Sequence, residues 1–433
     1  MTKTMMLKNK RVAVVGLGLT GLSCVRFLHQ QGAQVLAMDT RAHLTPELPA
    51  GTDVQLGPLD AQSLVSVDFI LLSPGLPLSE PALVSARQAG VAILGDIELF
   101  ARFNKTPVVA ITGSNGKSTV TRLVTQMLKA SGRKVAEGGN IGRPALELLE
   151  DNADVVVLEL SSFQLETTDS LAPLAATILN ISADHMDRYS SLEDYAAAKQ
   201  RIYVGAKHCF YNREDRLTWP ERPNRQQSFG LSAPETGWGY DPSHDMIIHN
   251  SKPLLEFGVC GLVGQHNLLN IQAAAALSLT AGASLEGVVE AATHFTGLPH
   301  RCELVRRTQG ISWINDSKGT NIGATQAAID GLAPQVAGRL ILIAGGDGKG
   351  ADFSTLDLSR VQVLICLGKD GQRIAEQHDS AQLVADMNEA VFQASRIAKD
   401  GDMVLLSPAC ASLDMYANYQ ARGQAFVDAV EAL

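Results

Sequence analysis

Short apolar, β-branched runs recur along this chain, each ending in a glycine-containing turn and followed by a stretch with helical spacing of its apolar positions. Arg11-Val-Ala-Val-Val15 is the first such run. Gly16-Leu-Gly18-Leu-Thr-Gly21 follows it, then a helix predicted from Leu22 to Gln31, Gly32 as a C-cap, and a strand from Gln34 to Met38 that ends in Asp39. Further strands are predicted at Asp68 to Leu72, which runs into Ser73-Pro74-Gly75, and at Val91 to Leu94, before Gly95. Val108 to Thr112 leads into another glycine loop and a helix from Val120 to Ser131, after which Asp154 to Glu159 and Ala175 to Asn180 have strand character. Residues 210 to 262 are richer in Pro, Gly, Trp and polar residues and predict short strands and loops, with a helix from about Leu268 to Ala281. Beyond Leu298-Pro299, strands around Trp313 and at Arg339 to Ala344, Val361 to Leu367 and Met403 to Leu406 alternate with helical segments. Alternation of this kind is the signature of parallel α/β sheets.

Length turns this pattern into domains. At 433 residues the chain exceeds what a single core holds, and the fold class is α/β with three domains. Residues 1–96 form a Rossmann-like N-terminal unit, residues 97–298 a central P-loop ATPase-type parallel sheet, and residues 299–433 a second Rossmann-like unit. The first glycine turn with Asp39 is a dinucleotide fingerprint, which by itself reads as NAD.

Val108-Val-Ala-Ile-Thr-Gly-Ser-Asn-Gly-Lys-Ser-Thr119 has the strand, loop and helix context of a phosphate-binding loop. Successive backbone N–H groups over Gly113, Ser114, Asn115 and Gly116 can curl around an anion at the helix N-terminus. Lys117 reaches the terminal phosphates, and a hydroxyl of Ser118 or Thr119 can hold Mg²⁺. The loop is a shortened variant, because the first glycine of the usual spacing would fall at Ile111. A nucleoside triphosphate is the expected ligand.

Other residues gain meaning from this loop. Glu159 ends a strand where a Mg²⁺ contact is needed, followed by Ser161-Ser162-Phe163-Gln164. Asp184-His185-Met-Asp187 sets an imidazole between two carboxylates, which suits a metal ligand or an Asp-oriented His. Lys199, in Tyr195-Ala-Ala-Ala-Lys199-Gln-Arg-Ile202, reads as a solvated helix lysine with no role. Asn315-Asp316-Ser317-Lys318-Gly319-Thr320-Asn321 is dense in donors and acceptors after a strand, and fits a ligand site. Gly345-Gly346-Asp347-Gly348-Lys349-Gly350 lacks the Ser/Thr of a second phosphate loop.

Bulk properties narrow the partners. A formal charge of −9 argues against sequence-independent nucleic-acid binding. No apolar run is long enough to span a membrane, and Met1 to Lys10 lacks a signal-peptide core. Six cysteines, at 24, 209, 260, 302, 366 and 410, form no Cys-x-x-Cys pair and read as thiols of the reducing cytoplasm. A GTPase switch is disfavoured because Asn104-Lys105 is followed by Thr106-Pro107 instead of the guanine-reading x-Asp.

Taken together the segments resemble the Mur ligases, ATP-dependent amino-acid-adding enzymes of peptidoglycan synthesis. The resemblance runs from Val12 to the C-terminus and is greatest to the branch that adds D-glutamate. It rests on the two glycine turns (16–23 and 111–119), Gly-Gly-Asn-Ile-Gly (138–142), Leu-Glu-Leu-Ser-Ser-Phe-Gln-Leu-Glu (158–166) and Asp-His-Met-Asp-Arg-Tyr (184–189). Gly-Gln-His-Asn (264–267), Gly-Leu-Pro-His-Arg (297–301), Asn-Asp-Ser-Lys (315–318) and Leu-Ser-Pro-Ala-Cys-Ala-Ser-Leu-Asp (406–414) complete it.

What the resemblance implies goes further than spacing. The first unit would hold the UDP part of UDP-N-acetylmuramoyl-L-alanine through Leu19, Thr20, Asp39, Thr40, Arg41 and Gly75, with Asn140, Ser161 and Gln164 from the central unit, and not NAD. ATP would be held by residues 113–119 with Asn267, Asn270, Arg301 and Asp316, and D-glutamate by Lys318, Thr320, Lys349, Ser412 and Leu413. Lys199 matches a lysine that is carbamylated by CO₂, and with Ser118, Glu159 and His185 would serve two Mg²⁺ sites; Lys117, His185 and Lys199 would be catalytic. Gly319 stands where the pattern usually has Ala, and Tyr419 where Phe is commoner. The implied enzyme is a cytoplasmic monomer; a related ligase with a different acceptor amino acid is the alternative.

Overall fold

The computed structural model describes residues 6–186, 188–221, 225–262 and 264–433. The first five residues of the stretch read as lacking a secretory core, and Asp187, lie outside the described residues.

Three parallel or mostly parallel sheets follow one another along the chain. The first has the order Asp53–Leu56, Gln34–Asp39, Arg11–Val15, Phe69–Leu72 and Ala92–Leu94, all parallel. The chain builds outward from Arg11–Val15 in one direction and then in the other. The crevice between Arg11–Val15 and Phe69–Leu72 is therefore a topological switch point, where such sheets bind ligands. The second sheet has the order Arg225–Phe229, His208–Asn212, Ala175–Ile178, Val108–Thr112, Val155–Glu159 and Val135–Gly139, also parallel. A small antiparallel sheet (Trp238–Asp241, Met246–His249, Lys252–Glu256) accounts for the Trp- and Pro-rich region. The third sheet is ordered Glu303–Thr308, Ile311–Asn315, Met403–Leu406, Leu340–Gly345, Val363–Leu367 and Gln382–Leu383, parallel except for its first strand.

Every residue of Val108–Thr112, Val155–Glu159 and Leu340–Gly345 is buried. Helices on both faces explain why these strands read as unbroken apolar runs. Helices Lys117–Ala130, Gln265–Thr280 and Leu285–His294 share one apolar cluster with the second sheet. The first and second sheets share another, joined by Leu99 and Phe100 of helix Asp96–Phe103. Both clusters of the third sheet instead draw their buried residues from position 311 onward.

Two helices begin earlier than their apolar spacing predicts. Leu19–Gln30 and Gln265–Thr280 each start behind a glycine, Gly18 and Gly264, that makes no side-chain cap. Their first turns are polar or solvent-facing, so they carry no periodicity. Strand Glu303–Thr308, Glu-Leu-Val-Arg-Arg-Thr, escapes prediction because it is a charged edge with no fully buried position. Val135–Gly139 runs as a strand through Gly138-Gly139, since a Cβ on Gly139 would stand 2.4 Å from the Glu159 carbonyl oxygen.

Candidate active site

Thr112 ends the central strand of the second sheet, and the loop it feeds is shaped by glycine. Gly113 and Gly116 have φ of +151° and +82°, and a Cβ on Gly116 would meet Asn270 Oδ1 at 2.6 Å. Asn180, at the end of the neighbouring strand's loop, braces the turn: the Asn115 N–H donates to its Oδ1 at 2.8 Å and its Nδ2 donates to the Asn115 carbonyl at 3.0 Å. The Lys117 ammonium curls back to donate to the carbonyls of Gly113 (2.8 Å) and Ser114 (2.9 Å). Burial lowers its pKa from the ordinary value, opposed by the charges of Glu159 and Asp184.

Lys199 is not a solvated lysine. It lies on helix Leu192–Gln200 but is 1% exposed, and its Nζ donates to the Gly113 carbonyl at 3.0 Å and Thr112 Oγ1 at 3.4 Å, above the Tyr195 ring. Burial first, and the charge of Lys117 second, depress its pKa well below the ordinary range. The helix has almost no amphipathic asymmetry, because Tyr195, Ala196, Ala198 and Lys199 are all buried. A pattern reading therefore could not assign the lysine a face.

Glu159 is 1% exposed; its Oε1 accepts from Asn140 Nδ2 at 2.7 Å, while Oε2 has no partner among the described residues. An orphaned buried carboxylate oxygen beside a phosphate loop fits a cation. Among the described residues no three His, Cys, Asp or Glu side chains are grouped to hold a metal. Mg²⁺ at a nucleotide takes mostly phosphate and water oxygens with one or two protein ligands, so Glu159 and Ser118 fit it without such a group. His185 reaches the same cavity in the left-handed region, φ +58°, with Nε2 3.7 Å from Asp184 Oδ2.

The cavity measures about 1080 Å³ and is lined on one side by loops and helix Ile322–Leu332 of the third unit. Arg301 reaches across it, Nη2 donating to Ser118 Oγ at 2.7 Å, and Asn321 Nδ2 donates to Asp184 Oδ2 at 3.2 Å. Asp316 accepts from Ser407 Oγ at 2.7 Å and from the Cys302 N–H at 3.2 Å, and burial pushes its pKa up to about 7. Lys318 lies over the Tyr419 ring at 4.3 Å, its pKa lowered to about 8, first by burial and next by Arg301 and Lys117. Asn267, Asn270, Thr119, Ser161, Thr320 and the exposed Lys349 also line this space. His300 and Lys349, like His185, have positive φ there, which marks strain held at the site by its surroundings.

Some expected residues stand elsewhere. Ser412 is buried and Leu413 is 73% exposed, and neither lines the cavity. Gln164 sits behind Ser161, its amide fixed by Asp96 at 3.1 Å. At the first sheet's switch point the Leu17 N–H donates to Asp39 Oδ2 at 2.7 Å, and Arg41 grips Asp39 with Nε and Nη2, both at 2.8 Å. That grip holds the Asp39 carboxyl well below the usual range. Exposed Leu19, Thr40 and Gly75 and the half-buried Thr20 surround the same edge. Asn321 falls within the donor-rich stretch 315–321 read as a ligand site, whereas Asn180 and Tyr195 are site residues whose only sequence signal is position, after a strand and one turn before Lys199.

Parallel sheets with a glycine phosphate loop at the centre, sharing one polar cavity with a third α/β unit, define a class of nucleotide-dependent enzymes. The chain belongs to the Mur ligase family: residues 10–95 match the MurD-like N-terminal domain, 111–278 the middle domain and 300–410 the glutamate ligase domain. It is 48% identical to the UDP-N-acetylmuramoylalanine–D-glutamate ligase of Shewanella oneidensis over 97% of this chain and 98% of that protein. Identity to the ligase of the same name from Haemophilus influenzae strain Rd is 46%, over 98% and 99%. The fold matches a MurF ligase of Thermotoga maritima in complex with ADP, TM-score 0.63 at 17% identity, covering 100% of this chain and 97% of that one.

Proposed function

We propose that this chain joins D-glutamate to UDP-N-acetylmuramoyl-L-alanine at the expense of ATP, in the cytoplasm and as a monomer. The observation that carries the reading is the meeting of Lys117, Lys199, Glu159 and Arg301 in one cavity, supported by the names of full-length relatives. The sugar nucleotide would lie from Asp39, Arg41 and Gly75 of the first sheet toward Asn140 and Ser161.

Its carboxylate oxygen attacks the γ-phosphorus of ATP; the bond to the β–γ bridging oxygen breaks, giving an acyl phosphate and ADP. The amine of D-glutamate then attacks the acyl carbon, loses a proton, and expels phosphate to leave an amide. Both steps gather negative charge at the loop, so the work of this chain is positioning and neutralisation. Lys117 would leave its loop carbonyls for the γ-phosphate, with the backbone N–H groups of Gly116 and Lys117 on the phosphate oxygens, since those of Ser114 and Asn115 are held by Asn180. Lys318, Thr320 and Lys349 would seat the acceptor's carboxylates. Mg²⁺, held by Ser118 and Glu159 and at a second site by His185, would neutralise phosphate charge. Lys199 suits carbamylation: burial shifts its equilibrium toward the neutral amine, whose lone pair would bond the CO₂ carbon with loss of one proton. The resulting carboxylate-like group would be balanced by Lys117.

Phosphate release measured with ATP, Mg²⁺, UDP-N-acetylmuramoyl-L-alanine and a panel of D- and L-amino acids tests the reading. Release that requires D-glutamate is the expected result. Release with a different acceptor would favour a sister ligase, and none with any would overturn the assignment.

A further inference from the structure

Arg188, three residues past a central-unit loop's strained histidine, makes three different contacts at once. Its Nη1 donates to the Pro74 carbonyl at 3.1 Å, its Nη2 donates to Glu166 Oε2 at 2.6 Å, and its guanidinium lies 4.1 Å over the Phe163 ring. Pro74 belongs to the first sheet's turn, beside Gly75. Phe163 in turn meets the His185 imidazole edge-on at 4.8 Å and stacks with Tyr189, whose hydroxyl donates to Glu166 Oε1 at 2.6 Å. The Arg188 and Glu166 side chains are only 15% and 17% exposed, so little solvent screens them. The N–H groups of Arg188 and Tyr189 both donate to the His185 carbonyl, at 2.9 and 3.1 Å, closing the turn that holds φ at +58°.

We propose that Arg188 is a positioning residue that couples the sugar-nucleotide edge of the first sheet to the His185 imidazole at the phosphate loop. Arg26–Glu147 and Gln30–Glu150 join the same two units through exposed side chains, whereas Arg188 spans the two ligand-bearing loops themselves. A planar fork is needed: a lysine could hold one of the three contacts but not all. Filling the UDP site would steady the turn at Pro74, and through Arg188 and Phe163 the wall against which His185 rests. The inference rests on the ligase reading above.

The test uses the full chain and a double variant. Arg188→Met strands Glu166, so Arg188→Met/Glu166→Gln is compared with Glu166→Gln to separate the coupling from an orphaned carboxylate. In the double variant kcat should fall roughly 10- to 100-fold, the scale of misplacing a reacting group. The KM for UDP-N-acetylmuramoyl-L-alanine should rise while that for ATP stays put. UDP alone should shift the His185 imidazole resonances of the wild-type protein and leave those of the double variant unmoved. Full rescue by Arg188→Lys, or a double variant with wild-type kcat, KM and UDP-induced shifts, would overturn the inference. A wild-type protein without D-glutamate-dependent turnover but with the UDP-induced shift would instead sink the ligase reading alone.

Discussion

Lys199 is the residue whose surroundings depart furthest from its local sequence. Its amine is buried against the phosphate loop with a second lysine nearby, and such an arrangement persists only if something offsets the desolvation. Lys199→Ala should therefore be nearly inactive yet folded, and short carboxylates such as formate should restore part of the rate. Wild-type activity of that variant in CO₂-depleted buffer would rule the carbamate out. Asp316 gives a second expectation, through pH. It keeps its proton in the folded state to about 7, whereas an unfolded aspartate ionises near ~4. Between those values the folded state binds more protons, so this group lowers stability as pH rises through the window. Asp316→Asn should gain on the wild type in melting temperature between pH 5 and pH 8; a constant difference by calorimetry would count against the shifted carboxyl.

Among the elements, strand Gln34–Asp39 ties local geometry most directly to binding. Its last side chain holds the turn after Arg11–Val15 by accepting the buried Leu17 N–H, and holds Arg41 in the open crevice. Asp39→Ala leaves that N–H unpaired and should cost about 1–3 kcal/mol of stability. Arg41→Ala leaves the Asp39 carboxylate, only 4% exposed, without its cation and should also lower stability. Both should raise the KM for the sugar nucleotide with little change in that for ATP, because the crevice is remote from phosphoryl transfer. An equal rise in both KM values would mean that the strand supports the whole fold and not one ligand.

At the scale of the molecule, the three units are not equally joined. The first and second share an apolar cluster through helix Asp96–Phe103, while the third meets the second at the cavity through polar contacts such as Arg301 to Ser118 and Asn321 to Asp184. Polar interfaces of this kind permit relative motion. For Ser118 to take Mg²⁺, Arg301 must leave its hydroxyl. Binding an ATP analogue with the sugar nucleotide should therefore reset the third unit as a rigid body about Leu298-Pro299 and exclude water from the acyl phosphate. Small-angle scattering should register compaction; superimposable curves at saturating ligand would retire the hinge.

The sequence by itself determined most of the alternation of strands and helices, both glycine turns, and the places of Lys117 at a helix start and Glu159 at a strand end. Each of these signals lies within one strand–turn–helix unit, where periodicity and glycine chemistry act on neighbours. Tertiary structure decided what depends on distant partners. Lys199 meets Gly113 across 86 positions and Arg301 meets Ser118 across 183, so neither burial nor pairing could be read from flanking residues. The same holds for Gly138-Gly139, which run within a strand where a Cβ on Gly139 would meet the Glu159 carbonyl, and for Arg188, on which Pro74, Glu166 and Phe163 converge. Local sequence fixes which way the backbone turns, whereas the energy of a buried charge is set by whatever the fold brings beside it.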